Sequence, residues 1–374
     1  MSRSELAGEL NNSNKWCLMA LSQTTKGSDV GIERISKIAD ELTVELGAAL
    51  KRIEKISSQT QVLSINAKIR AARAGNAGRA FGVVADEVAL LSKQISEVTS
   101  EMEERSSSTI AELSSITRHI ATDHLGTRLM ELALVNIDLI DRNLYERTCD
   151  VRWWATDGSL VAALAQQTPE SRNFASKRLG VILDSYTVYF DLVLCDLKGN
   201  VIANGRPGKF STQDSNHSDA EWFKAAIKTH SGTEYGFQSV HRSPLVNSQL
   251  GLVYSCTVRE GGDANGSILG VLGIVFDWAS LAQEICENLP LSLEEKAISR
   301  VCIVDDAGLV LADSNNEILT HTIEIKGRSQ LFSKTKGYVM EKVAGSDCMV
   351  AHAQSPGYET YKTGWHALII QQSR

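Results

Sequence analysis

The feature that most constrains this chain is a seam of apolar residues advancing by alternating steps of four and three, interrupted once. It runs Ile35, Ala39, Leu42, Leu46, Ala49, Ile53, Ile56, Thr60, Leu63, Ala67, then resumes as Phe81, Val84, Val88, Leu91, Ile95, Val98, Met102. That spacing keeps one stripe of a helix apolar and is the pattern of coiled coils. The interruption is Gly75-Asn76-Ala77-Gly78. Glycine reaches the positive φ values that end one helix and start another. The simplest path is an antiparallel helical hairpin with its turn at Gly75 and Gly78. One hairpin covers only part of its seam, whereas two packed as a four-helix bundle cover it, so the spacing predicts a homodimer.

The chain changes character near residue 125. Residues 30–122 hold no proline and no aromatic residue except Phe81. Residues 125–168 still read as one long helix, with Leu125, Leu129, Leu132, Leu139 and Leu144 on a stripe. After Pro169 strand signals appear: "YFDLVLCDLKGNVIAN" reads as strand, Lys-Gly-Asn turn, strand. A short helix, "HSDAEWFKAAIKTH", and three further strands follow, the last two joined by "GGDANG", which reads as a hairpin turn. Then "SRVCIVDDAGLVLADS" echoes the first strand pair, and "GYVMEKV", "CMVAHAQS" and "WHALIIQQ" supply closing strands. An echo of this size predicts two similar α/β modules in tandem, residues 169–290 and 291–374. The organisation is an all-α hairpin over residues 1–124, then an α+β region over 125–374.

Composition narrows the function. A net charge of −7 argues against nucleic acid. No segment approaches the ~18 apolar residues of a membrane span, and the apolar run at residues 16–21 is short for a signal peptide. The default location is the cytoplasm. Seven scattered cysteines without a close pair read as buried free thiols, not a disulfide framework or metal site. There is no P-loop, HExxH or paired-histidine spacing. No catalytic constellation and no cofactor motif emerges, so a transducer is expected and not an enzyme.

The hairpin resembles the cytoplasmic signalling tip of bacterial methyl-accepting chemotaxis proteins, on Gln59-Thr60, Leu63, Asn66-Ala67, Ala71-Ala72-Arg73-Ala74-Gly75, Gly78-Arg79, Phe81, Val83-Val84-Ala85 and Asp86-Glu87-Val88. Residues 125–374 look like a double Cache sensor, a tandem PAS-like ligand-binding unit, on "DAEWFKAA", residues 266–278 and "AHAQSPGYETYKTGWHALI". The order is inverted relative to the family's usual sensor, span and hairpin. The sequence departs from the tip pattern at Ser58, Arg70 and Asn76, two of which lie where family members pack as trimers of dimers.

The resemblance implies a soluble transducer whose tip meets a chemotaxis-type histidine kinase and its coupling protein. The implied contacts are Val62, Asn66, Arg73, Val83 and Glu87; the alternative for the valines is ordinary seam packing. A small molecule or partner protein would bind the sensor. Trp222, Phe223, Tyr235 and Tyr254 supply aromatic walls for a pocket in the first module. Asp277 either holds a ligand amine or caps the helix that starts at Trp278. Amino-acid-binding members carry an arginine two residues before the tryptophan; here that residue is Ala220, which leaves Arg242 as the replacement for a carboxylate clamp. The rival function is a ligand-binding or scaffold protein whose hairpin serves dimerisation alone.

Overall fold

The computed structural model describes the backbone of residues 3–373, with side chains described at residue 31 and over 34–373. Cys17 and the side chains of residues 16–21 lie outside the described residues. The chain forms two compact units, Met1–Leu125 and Gly126–Arg374.

In the first unit, α1 (Arg3–Arg73) and the start of α2 (Arg79–Trp154) flank a single 3-10 turn, Gly75–Gly78. The two glycines do different work. Gly75 has φ +59°, the left-handed value that ends α1, and the Ala74 amide donates to the Arg70 and Ala71 carbonyls at 3.2 Å. Gly78 has no positive φ among the residues of that kind. It is needed for space, because a Cβ there would lie 2.2 Å from the Ala71 carbonyl oxygen.

The arms meet along a second heptad of small residues. Ser57 and Ser64 of α1 are buried against Ser92 and Ala85 of α2, and Ala71 against Gly78; farther from the turn the larger Leu50 is buried level with Thr99. Small side chains let the axes approach, and interaxial distance follows from the side chains at the contact. At that separation serine hydroxyls reach the opposite backbone: Ser64 Oγ donates to the Ala85 carbonyl at 3.0 Å, and Ser57 Oγ to that of Ser92 at 2.7 Å. The apolar seam stays outside this contact, with Leu63 69% and Val84 58% exposed. Ile56, Leu63, Val84, Leu91 and Val98 each immediately precede a small-seam residue. A helix turns by about 100° per residue, so antiparallel arms direct both apolar stripes to one side of the hairpin.

In the second unit α2 stops at Trp154, so the single helix read over residues 125–168 is in fact broken. Asp157 adopts extended geometry and caps α3 (Gly158–Gln166), accepting from the Ser159 amide at 2.8 Å. A helix absent from the sequence reading follows, α4 (Pro169–Ser185), capped by Thr168 and opened by proline. The first sheet comprises β1 (Tyr189–Asp196), β2 (Val201–Asn204), β3 (Gly236–Ser243), β4 (Gln249–Arg259) and β5 (Ile268–Asp277), with α5 (Glu221–Ile227) before β3. After α6 (Trp278–Glu287) and α7 (Leu293–Ala297) comes the second: β6 (Ser299–Val304), β7 (Val310–Asp313), β8 (Lys336–Val343), β9 (Ser346–Gln354) and β10 (His366–Gln372), with α8 (Arg328–Phe332) before β8.

Both sheets are antiparallel, ordered β2-β1-β5-β4-β3 and β7-β6-β10-β9-β8, the same topology five strands later. The turn chemistry repeats too. Asp196 Oδ1 and Asp305 Oδ1 each accept from the amide four residues on, across Gly199 (φ +82°) and Gly308 (φ +85°). The modules are joined through side chains. Trp278 Nε1 donates to the Leu311 carbonyl at 2.6 Å, and the hydroxyls of Tyr254 and Tyr361 are 2.6 Å apart.

The core of the second module holds a histidine pair. His352 Nε2 is 2.7 Å from His366 Nδ1, and His366 Nε2 is 3.0 Å from Asp306 Oδ1. With Asp306 ionised, His366 donates from Nε2 and accepts at Nδ1. His352 then donates from Nε2, and its buried Nδ1 has no partner. Phe332 stacks on His366 at 4.0 Å. Burial, helped by the neighbouring imidazole, pushes His352 down to about 3.

Two expectations follow. Gly78→Ala forces backbone apart and should lose about 1–3 kcal/mol; Gly75→Ala meets open space and should lose only the left-handed strain, about 1 kcal/mol. Thermal melts followed by helix ellipticity check the ranking, and the reverse order would place the close approach elsewhere. For His352, the unfolded chain takes up a proton near the ordinary value of about 6.5, whereas the folded chain resists until about 3. The contribution to stability is therefore complete above the unfolded value and lost as pH falls toward the folded one. The melting midpoint should drop between about pH 7 and 4, and His352→Gln, which keeps a donor but does not titrate, should shrink that drop.

Candidate functional site

The hairpin turn fixes the level of every residue near it. Pairing of Ser64 with Ala85 and of Ser57 with Ser92 sets one antiparallel register. In it Val62 lies level with Glu87, and Asn66 level with Val83. Val62 and Asn66 flank Ser64 by two residues on either side, as Val83 and Glu87 flank Ala85. Two residues is about 200° of helical rotation, so each pair points away from the opposite arm. Val62 (57%), Val83 (61%), Asn66 and Glu87 are accordingly exposed, as is Arg73 in the last turn of α1. Within one hairpin the valines thus lie on two outer ridges, one on each arm. An ion pair between Lys68 and Asp86 ties the arms near the turn.

In the second unit, strand alternation separates the residues that the sequence suggested for one pocket. Trp222 and Phe223, on α5, are buried in the core on one face of the first sheet, with Phe210, Val193 and Val253. Ser255 on the same face donates to the Trp222 carbonyl at 2.7 Å. Tyr254 lies between Val253 and Ser255 and so points to the other face. There its ring meets Phe237 at 5.0 Å and Tyr235 at 5.9 Å. Burial raises the Tyr254 phenol well above its ordinary value, with Tyr361 adding to the shift. Tyr235 is half-buried, likewise raised by burial, under the Arg152 guanidinium at 5.9 Å. Arg242 is exposed on β3.

Asp277 closes β5 and caps α6. Its Oδ1 accepts from the Ser280 amide at 3.1 Å and its Oδ2 from the Ser280 hydroxyl at 2.7 Å. The six described cysteines are free, five of them buried. Among the described residues no group of three His, Cys, Asp or Glu could hold a metal ion. The sequence reading missed Arg152, which no local motif marks; it lies over Tyr235 and donates to the Thr233 carbonyl, both in the loop before β3.

The capping geometry predicts that Asp277→Asn leaves stability within about 0.5 kcal/mol, since asparagine caps as well, while Asp277→Ala loses about 1 kcal/mol. Urea unfolding of the two variants checks this. Equal losses would mean the carboxylate charge, not the cap, matters there.

Residues 82–374 match the Cache domain family, and residues 19–131 match the methyl-accepting chemotaxis protein signalling domain. Over 89 residues the chain is 45% identical to Transducer protein Htr18 of Halobacterium salinarum, covering 23% of this chain and 10% of that protein. Over 121 residues it is 36% identical to the methyl-accepting chemotaxis protein McpQ of Pseudomonas putida, covering 28% and 18%. The matched stretches therefore span less than a fifth of those relatives. The sensory domain of the Campylobacter jejuni chemoreceptor Tlp3 (CcmL) superposes with a TM-score of 0.51 at 15% identity, over 67% of this chain and 94% of that one, a likeness of fold. Among the described residues no helix is long and apolar enough to cross a membrane. The Cache match takes in well over half of the sequence, and the chain belongs to that family, with a methyl-accepting chemotaxis protein signalling domain on its N-terminal side.

Proposed function

We propose that this chain is a cytoplasmic, chemoreceptor-like transducer. A small molecule binds the first module of the Cache region on the sheet face that carries Tyr235 and Tyr254, with Trp222 and Phe223 packed behind it on the other face. The hairpin dimerises through its apolar face. Its outer ridges, Val62 with Asn66 and Val83 with Glu87, together with Arg73, meet a chemotaxis-type histidine kinase and its coupling protein. Ligand binding shifts a two-state packing equilibrium, and the shift passes along α2, whose residues belong to both units.

One observation carries most of this reading. The hairpin directs Ile56, Leu63, Val84, Leu91 and Val98 to one side, all more than half exposed. A soluble helix pair does not sustain such a stripe in water, and a second copy covers it with the same surface. Arg70 and Asn76, which depart from the tip pattern, favour a second reading in which the hairpin serves dimerisation without kinase control.

Sedimentation separates the dimer from its absence. Ile53→Glu and Val98→Glu each bury a charge in the seam and should weaken self-association by roughly 3 kcal/mol, about 100-fold. A well-folded monomeric wild type would remove the bundle. Co-precipitation of the full chain with purified kinase and coupling protein then tests the tip. Loss of capture in Val62→Asp and Val83→Asp, with dimerisation intact, is the expected result, and no capture by the wild type leaves the scaffold reading.

A further inference from the structure

A cleft of about 390 Å³ opens where the end of α2 meets the end of β4 and the turn between β4 and β5. Trp153, Ala155 and Ala264 form apolar wall, and Arg152, Arg259 and Asp263 bring charge. Arg259, the last residue of β4, is 7% exposed. Its guanidinium donates only to neutral oxygens: Nε to Thr257 Oγ1 at 3.0 Å, Nη1 to the Gly266 carbonyl at 3.0 Å, and Nη2 to that of Thr229 at 3.3 Å. Arg152 likewise meets only neutral acceptors, with Nε to the Thr148 carbonyl at 2.8 Å, Nη1 to the Thr233 carbonyl at 3.2 Å, and longer Nη2 contacts to Thr148 Oγ1 at 3.4 Å and Cys149 Sγ at 3.5 Å.

Neither arginine pairs with a carboxylate among the described residues. Three other shielded guanidinium groups of this unit do: Arg147 with Asp150, Arg300 with Asp313, and Arg128 with Glu295; Arg206 instead donates to the Leu183, Tyr189 and Phe190 carbonyls, which hold it inside the fold and outside the lining of this cleft. A buried cation without a counter-charge is costly. Guanidinium has five N–H donors, so the three bonds of Arg259 leave two. Asp263 is exposed at the cleft, and its Oδ1 accepts from the Asn265 amide at 2.9 Å. Water screens that charge, and the lining remains net positive.

We propose that this cleft binds a small organic acid. Its carboxylate lies between Arg152 and Arg259, since a guanidinium fork matches a carboxylate in charge and geometry. Its apolar body covers Trp153, an indole left 60% exposed. The volume falls within the range of small-molecule sites, about 300–1,000 Å³. The site is separate from the Trp222–Phe223 core and does not depend on how the hairpin is used.

Calorimetric titration of the full chain with benzoate, succinate, the neutral benzamide and inorganic phosphate tests it. A carboxylate should bind with one-to-one stoichiometry, and benzamide should not. Arg152→Gln, at a half-exposed position, should weaken binding about tenfold or more, and Asp263→Asn should strengthen it. Lys198→Gln makes the same charge change as Arg152→Gln on the exposed β1–β2 turn, outside the cleft lining, and should leave affinity unaltered. Arg259→Lys keeps the charge but loses the fork and should also weaken binding; circular dichroism checks that each variant folds. Absence of carboxylate binding by the wild type, equal binding of benzamide, preference for phosphate, or equal weakening by Arg152→Gln and Lys198→Gln would each overturn the assignment.

Discussion

Asp141 of α2 is fully buried and pairs with no cation among the described residues. Its two oxygens instead accept four hydrogen bonds from one loop: Ser355 Oγ at 2.6 Å, the Gly357 amide at 2.7 Å, Thr363 Oγ1 at 2.8 Å and the Thr363 amide at 3.3 Å. A carboxylate so enclosed is stable only while its donors stay in place. The same loop carries Tyr358, packed edge-on against Tyr145 of α2, and Tyr361, whose hydroxyl meets Tyr254 of the first module. One anion on a helix thereby fixes a loop of the second module, and through that loop a strand of the first. Sliding α2 past the loop would strand a buried charge, so helix, loop and strand move as a set or exchange between discrete arrangements.

The hairpin shows which part of a helical pattern a sequence discloses. Apolar spacing identified the stripe that needs covering, and the glycines identified the turn. The contact that joins the two arms went unread because Ser57, Ser64, Ala71, Ala85 and Ser92 hold it. Their role is to be small, and hydrophobic periodicity registers what seeks burial, not what permits approach. Gly78 belongs with them: its reason is the Ala71 carbonyl beneath it, not its φ.

In the second unit the strand pairs, their turns and the tandem repeat were legible because the turn chemistry is local. Asp196 with Gly199 and Asp305 with Gly308 specify the same bend twice. The break at Trp154 and helix α4 were not, although Asp157 and the Thr168-Pro169 pair are ordinary start signals. The leucine stripe through residue 144 continued past them on paper and masked the interruption. The aromatic residues that the sequence suggests for one pocket lie on two faces of the first sheet. Period-2 alternation sends Tyr254 to the face opposite Val253 and Ser255, away from Trp222. Asp277 had two readings, and the Ser280 bonds occupy both of its oxygens.

The arginines at the cleft carry the least local signal of all. Arg259 ends a buried strand, and Arg152 lies in the last turn of α2, where a cation interacts favourably with the helix dipole. Position alone would explain Arg152. What it does not explain is the company: a second guanidinium, deeply buried, with only neutral acceptors and an exposed indole beside it. The Nε bond of Arg152 to the Thr148 carbonyl also holds the last turn of α2. An anion that draws this guanidinium toward the cleft competes with that bond, so occupancy and the order of the helix end are linked through one side chain. Asp141 lies on the same helix, 11 positions earlier, or about 16 Å at ~1.5 Å per residue. The charge that fastens α2 to the second module and the charge that faces the cleft of the first are therefore carried by one rigid rod.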